Sequence, residues 1–451
     1  MFVALIHKIA WVPLRFLFWF FADYQVFGAK GIQKVKAPAI FISNHHGPFD
    51  PFLIGIGLPW LSPFHGVHWL TREDEFKRPI RKHTLELFGA FSAKIRSGYE
   101  VALDKPSRYL TRGISVGIFP DWCYQGDVSS LERMQNVAPL LAEKISRPVI
   151  PVFLYGVRNV TWWKLFTRRL KVHVMYGIPY YPQPGISHDQ IHKDIHKLLF
   201  QTKWTYLHEI LHEGERAFWE EYGKFYSYLE RADAYQDLIS DFKNLLPESI
   251  RGTWLDLGSG SGKLVEILTE RIDFKNGEVR LIASDHSKTM LSHLRERFKD
   301  RVAIREIDLV EKLPYESHTF DGITANLVLP YIVHHRGLYG VEALEAILRE
   351  LHHLLKPGGV LVWSTPRQGV RFIFTFFASW RSILRRDQQE NLRYGLRILR
   401  QARQIQARGR RGVYHFLPRI ILVEVLERVG FKNIQIDRSM VGQVFIIRCE
   451  K

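Results

Sequence analysis

Leu255-Asp256-Leu257-Gly258-Ser259-Gly260-Ser261-Gly262 closes an apolar, β-prone run that begins at Thr253. Three glycines at alternate positions directly after a strand let the backbone approach a bound group with no side chain in the way. The acid that opens the run stands near the carboxyl end of that strand, where open α/β sheets bind their ligands. A nicotinamide-type fingerprint would need glycine at the position Lys263 holds, which disfavours a dinucleotide. Outward from this run, strand patterns at residues 253–257, 279–284, 302–307, 322–325 and 360–364 alternate with helical stretches. That order predicts a doubly wound parallel sheet. Asp285 follows the second strand pattern, placed to accept ribose hydroxyls as acids do in other doubly wound sites.

With this motif and acid spacing, and with Leu355-Lys356-Pro357-Gly358-Gly359 before Val360, the second half resembles the class I S-adenosylmethionine-dependent methyltransferases over about residues 215–451. The resemblance implies a Rossmann-like fold, S-adenosylmethionine as cofactor, and a cofactor site drawn from Asp256, Gly258, Gly260, Gly262, Asp285, Asp308, Leu309 and Asn326. Asp308 and Leu309 would meet the adenine. The stretch from Phe218-Trp219 to Tyr226 resembles the lead-in helix that lids the cofactor, although its aromatics suit a core equally well. Within the family the likeness is to small-molecule and lipid methyltransferases. Methyl transfer needs in-line positioning, and a base only where the acceptor must lose a proton; Tyr331, His334, His335 and Tyr339 are the candidates. The pairs His334-His335 and His352-His353 predict no metal site, because neighbours along a helix diverge by about 100° and no Cys or carboxylate completes a set.

In the first half, Asn44-His45-His46-Gly47-Pro48-Phe49-Asp50 follows a strand pattern at residues 39–43. Residues five apart do not share a helix face, so His45 and Asp50 meet only if Gly47-Pro48 turns the chain. Brought together, they form a base and its orienter: Asp50 fixes the imidazole tautomer while His45 removes a hydroxyl proton. The alternative is that Asn44 caps a helix whose dipole Asp50 complements. Further strand patterns at 113–119, 148–154 and 171–176, with helical patterns at 130–145 and 188–212, predict an α/β domain.

The segment His45 to Asp50, then Gly89-Ala90-Phe91-Ser92, Gly117-Ile118-Phe119-Pro120-Asp121 and Val149-Ile150-Pro151-Val152, resembles in order and spacing the four blocks of glycerolipid (lysophosphatidic-acid type) acyltransferases, over about residues 25–185. The resemblance implies acyl-CoA or acyl-carrier protein as thioester donor and a lipid hydroxyl acceptor deprotonated by His45. A basic residue of the second block, Lys94 or Arg96, and Asp121 of the third would grip the acceptor. Arg96 is preferred, since guanidinium binds phosphate bidentately. Asp121-Trp122 departs from the family's Glu-Gly, shortening the acid and setting an indole where glycine turns the chain. An altered acceptor follows, or a lipid-binding anchor that has lost acyl transfer.

At 451 residues the chain exceeds the size at which one core keeps growing, so two domains are expected. Lys and Arg number 63 against 46 acids, a net +17 that favours an anionic partner. Two cysteines, Cys123 and Cys449, suggest a reducing compartment rather than a disulfide framework. Residues 2–22 are rich in Phe, Trp and Leu but are interrupted by His7, Lys8, Pro13 and Arg15. They suit an interfacial anchor or a helix packed on the first domain better than a membrane span. Residues 365–413 are arginine-rich with only Asp387 and Glu390 as acids, and place Ile373, Phe376, Phe377, Trp380 and Leu384 at helical spacing. This basic amphipathic arm fits an anionic membrane surface, and its interleaved aromatics disfavour nucleic acid as the partner. The expected organisation is an interfacial segment (1–24), an acyltransferase-like domain (25–212) and a methyltransferase domain (213–451). The whole reads as a bifunctional lipid enzyme at the cytoplasmic face of a membrane.

Overall fold

A computed structural model describes residues 2–71, 73–92, 98–120, 128–157, 161–167, 170–183, 185–223, 230, 232–272, 279–378 and 389–451. The chain divides into two compact units, Met1–Tyr206 and Leu207–Lys451. The sequence reading set the boundary six residues later. The helix His188–Thr205 passes into a π-helical turn, Tyr206–His212, and on into the helix Glu213–Gly223, so no break in the chain marks the change.

The first unit is built on a seven-stranded sheet: β1 (Asp23–Phe27), β2 (Ile40–Ser43), β3 (His68–Leu70), β4 (Ala90–Phe91), β5 (Val116–Ile118), β6 (Val149–Tyr155) and β7 (Lys171–Tyr176), in the order β1-β7-β6-β2-β5-β3-β4. Every pair is parallel except β6 with β7. Both faces are covered, as a parallel sheet requires. Along β2, Ile40 and Ile42 join one apolar layer while Phe41 joins the other. A glycine at position 117 is needed because a Cβ there would stand 2.2 Å from the Trp69 indole. Central β2 therefore ends on a rigid base, and it delivers His45 to the sheet's carboxyl edge.

The second unit has a seven-stranded sheet of β8 (Thr253–Leu257), β9 (Arg280–Asp285), β10 (Ala303–Glu306), β11 (Phe320–Ala325), β14 (Leu355–Pro366), β15 (Lys432–Ser439) and β16 (Val444–Glu450). Their order is β10-β9-β8-β11-β14-β16-β15. The first five strands are parallel, but β16 is antiparallel to both of its neighbours, which corrects the all-parallel expectation. The order reverses between β8 and β11, the switch point at which such sheets bind ligands. A separate hairpin pairs β12 (His334–His335) with β13 (Leu338–Tyr339), so the two histidines lie on a strand, not on a helix, and both are buried. Lys356 to Gly359 do not stand apart as a turn: they are the first part of β14, which pairs with β11 through a register shift between Phe320 and Gly322.

The N-terminal helix Phe2–Phe21 has two unlike faces. Trp11 Nε1 donates to Leu58 O (2.8 Å), Arg15 donates to Ile56 O (2.8 Å), and His7 bonds Phe88 O through Nε2 and accepts the Gly66 amide at Nδ1. These residues, four apart, fasten one side to the first unit. On the other side Phe2, Leu5, Ile9, Val12, Phe16 and Trp19, spaced by three and four, are all more than half exposed.

Candidate functional site

At the end of β2 the chain turns through Gly47-Pro48 into the helix Asp50–Gly57, and the turn closes the gap between His45 and Asp50. His45 Nδ1 lies 2.9 Å from Asp50 Oδ2, and the same oxygen accepts the His46 amide at 2.5 Å and the Gly47 amide at 3.0 Å. Asp50 is 1% exposed, so its charge is compensated by the two amides and the adjacent imidazole rather than by water. Asn44 is not a helix cap. Its Oδ1 accepts the Leu154 amide (2.8 Å) and its Nδ2 donates to Leu154 O (2.9 Å), tying the end of β2 to β6, while the helix has Phe49 at its cap position with no side-chain bond.

The Phe119 ring lies tilted against the His45 imidazole (4.4 Å between centroids), and Phe119 in turn stacks on Trp69 (4.8 Å). Beside them opens a cavity of about 430 Å³. His45, Phe52, Trp69, Phe88 and Phe119 line it together with His7, Trp11 and Leu14 of the N-terminal helix. Thr71, Glu75 and Arg81 are among its polar side chains. The part of the N-terminal helix in this wall was not anticipated, because apolar spacing says that a face is covered but not by what. Lys94, Arg96, Asp121 and Trp122 lie outside the described residues.

In the second unit a cavity at the switch point is lined by Gly258, Gly260, Asp285, Leu309 and Asn326, five of the eight residues expected to hold a cofactor. Gly258 and Gly260 have φ of 59° and 54°, and a Cβ on Gly258 would stand 2.5 Å from Val328. This is a backbone cradle that a side chain would fill. Asp285 receives the Gly260 amide on Oδ2 (3.0 Å) and the Ser287 amide on Oδ1 (2.9 Å), which fixes its carboxylate at the wall. Asn326 is held by Ser364, whose hydroxyl donates to Oδ1 (2.7 Å), and donates from Nδ2 to the Tyr235 hydroxyl (3.2 Å).

The other three expected residues do not line the cavity. Asp256 is buried behind the turn, where Thr324 Oγ1 donates to its Oδ1 at 2.6 Å; burial raises its carboxyl to about 7. Gly262 caps the following helix, Lys263–Glu270. Asp308 stands between two wall residues, Ile307 and Leu309, and bonds His212 Nε2 at 2.8 Å. His212, Trp219, Tyr222 and Tyr331 complete the wall, with Trp219 against Tyr331 (4.9 Å between centroids). Of the acid–base candidates, Tyr331 is a lining residue, whereas His334, His335 and Tyr339 are not. Trp380 and Leu384 of the basic arm, and Tyr226, lie outside the described residues, as do the side chains of Phe376 and Phe377.

Residues 255–363 match the family model of a methyltransferase domain. The malonyl-[acyl-carrier protein] O-methyltransferase of Marinomonas sp. (strain MWYL1) is 30% identical over 144 residues, 32% of this chain and 48% of that protein. A ubiquinone/menaquinone biosynthesis C-methyltransferase of Xylella fastidiosa (strain M23) is 32% identical over 109 residues, 23% of this chain and 38% of that protein. The chain thus spans less than half the length of these two relatives. The second unit carries a Rossmann-like methyltransferase domain.

Proposed function

We propose that the protein is a bifunctional, membrane-associated lipid enzyme, with a methyl-transfer site in its second unit and an acyl-transfer site in its first. The cradle of Gly258 and Gly260 beside the fixed Asp285 carboxylate supports S-adenosylmethionine as the cofactor. Asp285 would accept the ribose hydroxyls, Leu309 would cover the adenine, and Asn326 would orient the end that carries the reactive group. When bound, S-adenosylmethionine supplies an electrophilic methyl group on a sulfonium. The methyl acceptor is a lipid or small molecule, brought in line by the aromatic wall of Trp219, Tyr222 and Tyr331.

The observation that carries the acyl-transfer reading is the His45–Asp50 pair at the wall of an apolar cavity. With Nδ1 engaged by Asp50, His45 Nε2 takes the proton of the acceptor hydroxyl as its oxygen attacks the thioester carbonyl. The carbon–sulfur bond breaks and the thiolate of CoA or acyl-carrier protein leaves, taking that proton. The apolar cavity holds the acyl chain. The exposed stripe of the N-terminal helix supports docking in the plane of a membrane interface, with an anionic surface on the cytoplasmic side as the partner of a +17 chain.

Both halves are tested on one full-length preparation. His45→Ala abolishes thioester consumption with a lysophospholipid acceptor and leaves S-adenosylhomocysteine affinity unchanged in calorimetry; retained acyl transfer removes His45 as base. Asp285→Ala weakens the cofactor, because a hydrogen bond to a charged group contributes about 1.5–3 kcal/mol. Binding of NAD in place of S-adenosylhomocysteine overturns the methyl-transfer reading.

A further inference from the structure

The π-helical turn Tyr206–His212 sets His208 and His212 ring on ring, 5.6 Å between centroids and 20° apart. His334, from β12, meets both edge-on, at 6.0 Å from His208 and 5.7 Å from His212. The three imidazoles therefore pack together, with His212 in the wall of the second unit's cavity. Single-turn π segments inside helices are uncommon and often mark functional positions. Here the turn aims His212 at Asp308, with Nε2 2.8 Å from Oδ2, while the other carboxylate oxygen accepts the Val310 amide at 3.2 Å. His212, Ile307, Leu309 and Val310 all belong to the cavity wall, so the carboxylate they hold stands at its rim.

We propose that His212 is the positioning residue for nucleobase recognition, holding the Asp308 carboxylate turned toward the exocyclic amino group of an adenine. The inference rests on the S-adenosylmethionine reading above. Each carboxylate oxygen has two lone-pair directions. His212 and the Val310 amide occupy one on each oxygen, which leaves each oxygen a second lone pair with which to accept from an amino group. A 6-oxo base would set an oxygen against that carboxylate and be rejected, as sites built for a donor reject analogues without one. Although burial tends to raise the Asp308 carboxyl, the bond and charge of His212, the Val310 amide and the His286 charge bring it down to about 2, so it is an acceptor at every physiological pH.

The test is calorimetry of S-adenosylhomocysteine and S-inosylhomocysteine on the full-length protein. The wild type prefers the adenine compound. His212→Ala lowers that preference by about tenfold or more, as expected when a polar site loses its grip on a donor, and His212→Gln, which still donates to Asp308, restores it to within about threefold. A wild-type preference in His212→Ala overturns the proposal, even if both affinities fall together, since equal losses report only a loosened fold. If the wild type binds neither compound, the cofactor reading fails and this inference fails with it, an outcome distinct from intact binding with unchanged preference.

Discussion

Asp256 sits on the same side of β8 as Trp254, one step out of phase with Leu255 and Leu257, and so points into an apolar layer. Its Oδ2 has no hydrogen-bond partner among the described residues. Burial, only partly offset by Thr324, holds the carboxyl near 7 in the folded chain against 3.8 in a free one. The folded state therefore keeps this proton longer than the unfolded state. Its stabilising effect is complete below about pH 4 and is lost as pH rises toward 7. Asp256→Asn should remove that slope. Relative to wild type, the variant should gain on the order of 3 kcal/mol in the second unit's thermal unfolding between pH 4 and 7, read by calorimetry across that range; parallel profiles would show that the carboxylate titrates normally. The motif made Asp256 recognisable as the acid before a glycine turn, yet spacing along a strand does not say which face an acid takes. His212 was less legible still. A histidine in a polar helical stretch reads as surface, and its partner Asp308 lies ninety-six positions on.

The N-terminal helix shows both what an element's pattern discloses and what it withholds. Its interruptions by His7 and Arg15 argued against a span, and those two residues, with Trp11, are the ones that grip the first unit. Spacing alone did not separate an anchor from a packed helix, because the helix has one face bonded to the first unit and an apolar face left exposed. Ile9→Glu with Phe16→Glu should release the protein from anionic vesicles in a way that added salt does not mimic, with the thermal transition unmoved. Trp11→Ala should do the reverse, keeping vesicle binding and lowering stability by about 2 kcal/mol, less than the 3–5 typical of a fully buried Trp. Sedimentation with liposomes and thermal unfolding separate the two faces. In the arm, the helix Gln389–Arg410 buries Ile405 while Arg400, Arg403 and Arg410 are exposed. Replacing those three by Gln should weaken vesicle binding by about 1 kcal/mol per residue at low ionic strength and have little effect at high salt.

At the scale of the whole chain, each unit has its own pair of apolar layers, one on either face of its sheet. Saturating S-adenosylhomocysteine, at a hundred times its Kd, should stabilise the second unit by about 2.7 kcal/mol and shift one calorimetric transition while leaving another in place; a uniform shift would mean that the units unfold as one. The alternation of strand and helix made both α/β units legible in the sequence. The boundary was read six residues late, because the chain passes from one unit to the next within continuous helical structure and its nearest glycine, Gly214, lies beyond the change. The last two strands of the second sheet were not legible, since β15 and β16 follow the long arm and β16 enters between two strands already laid down in sequence. That late insertion matters during synthesis. Until residues 444–450 have arrived, β14 carries a bare edge of unsatisfied amides and carbonyls, and β15 has no neighbour with which to pair. A chain cut short just before Val444 would keep every residue that lines the second unit's cavity and still present an open template for aggregation.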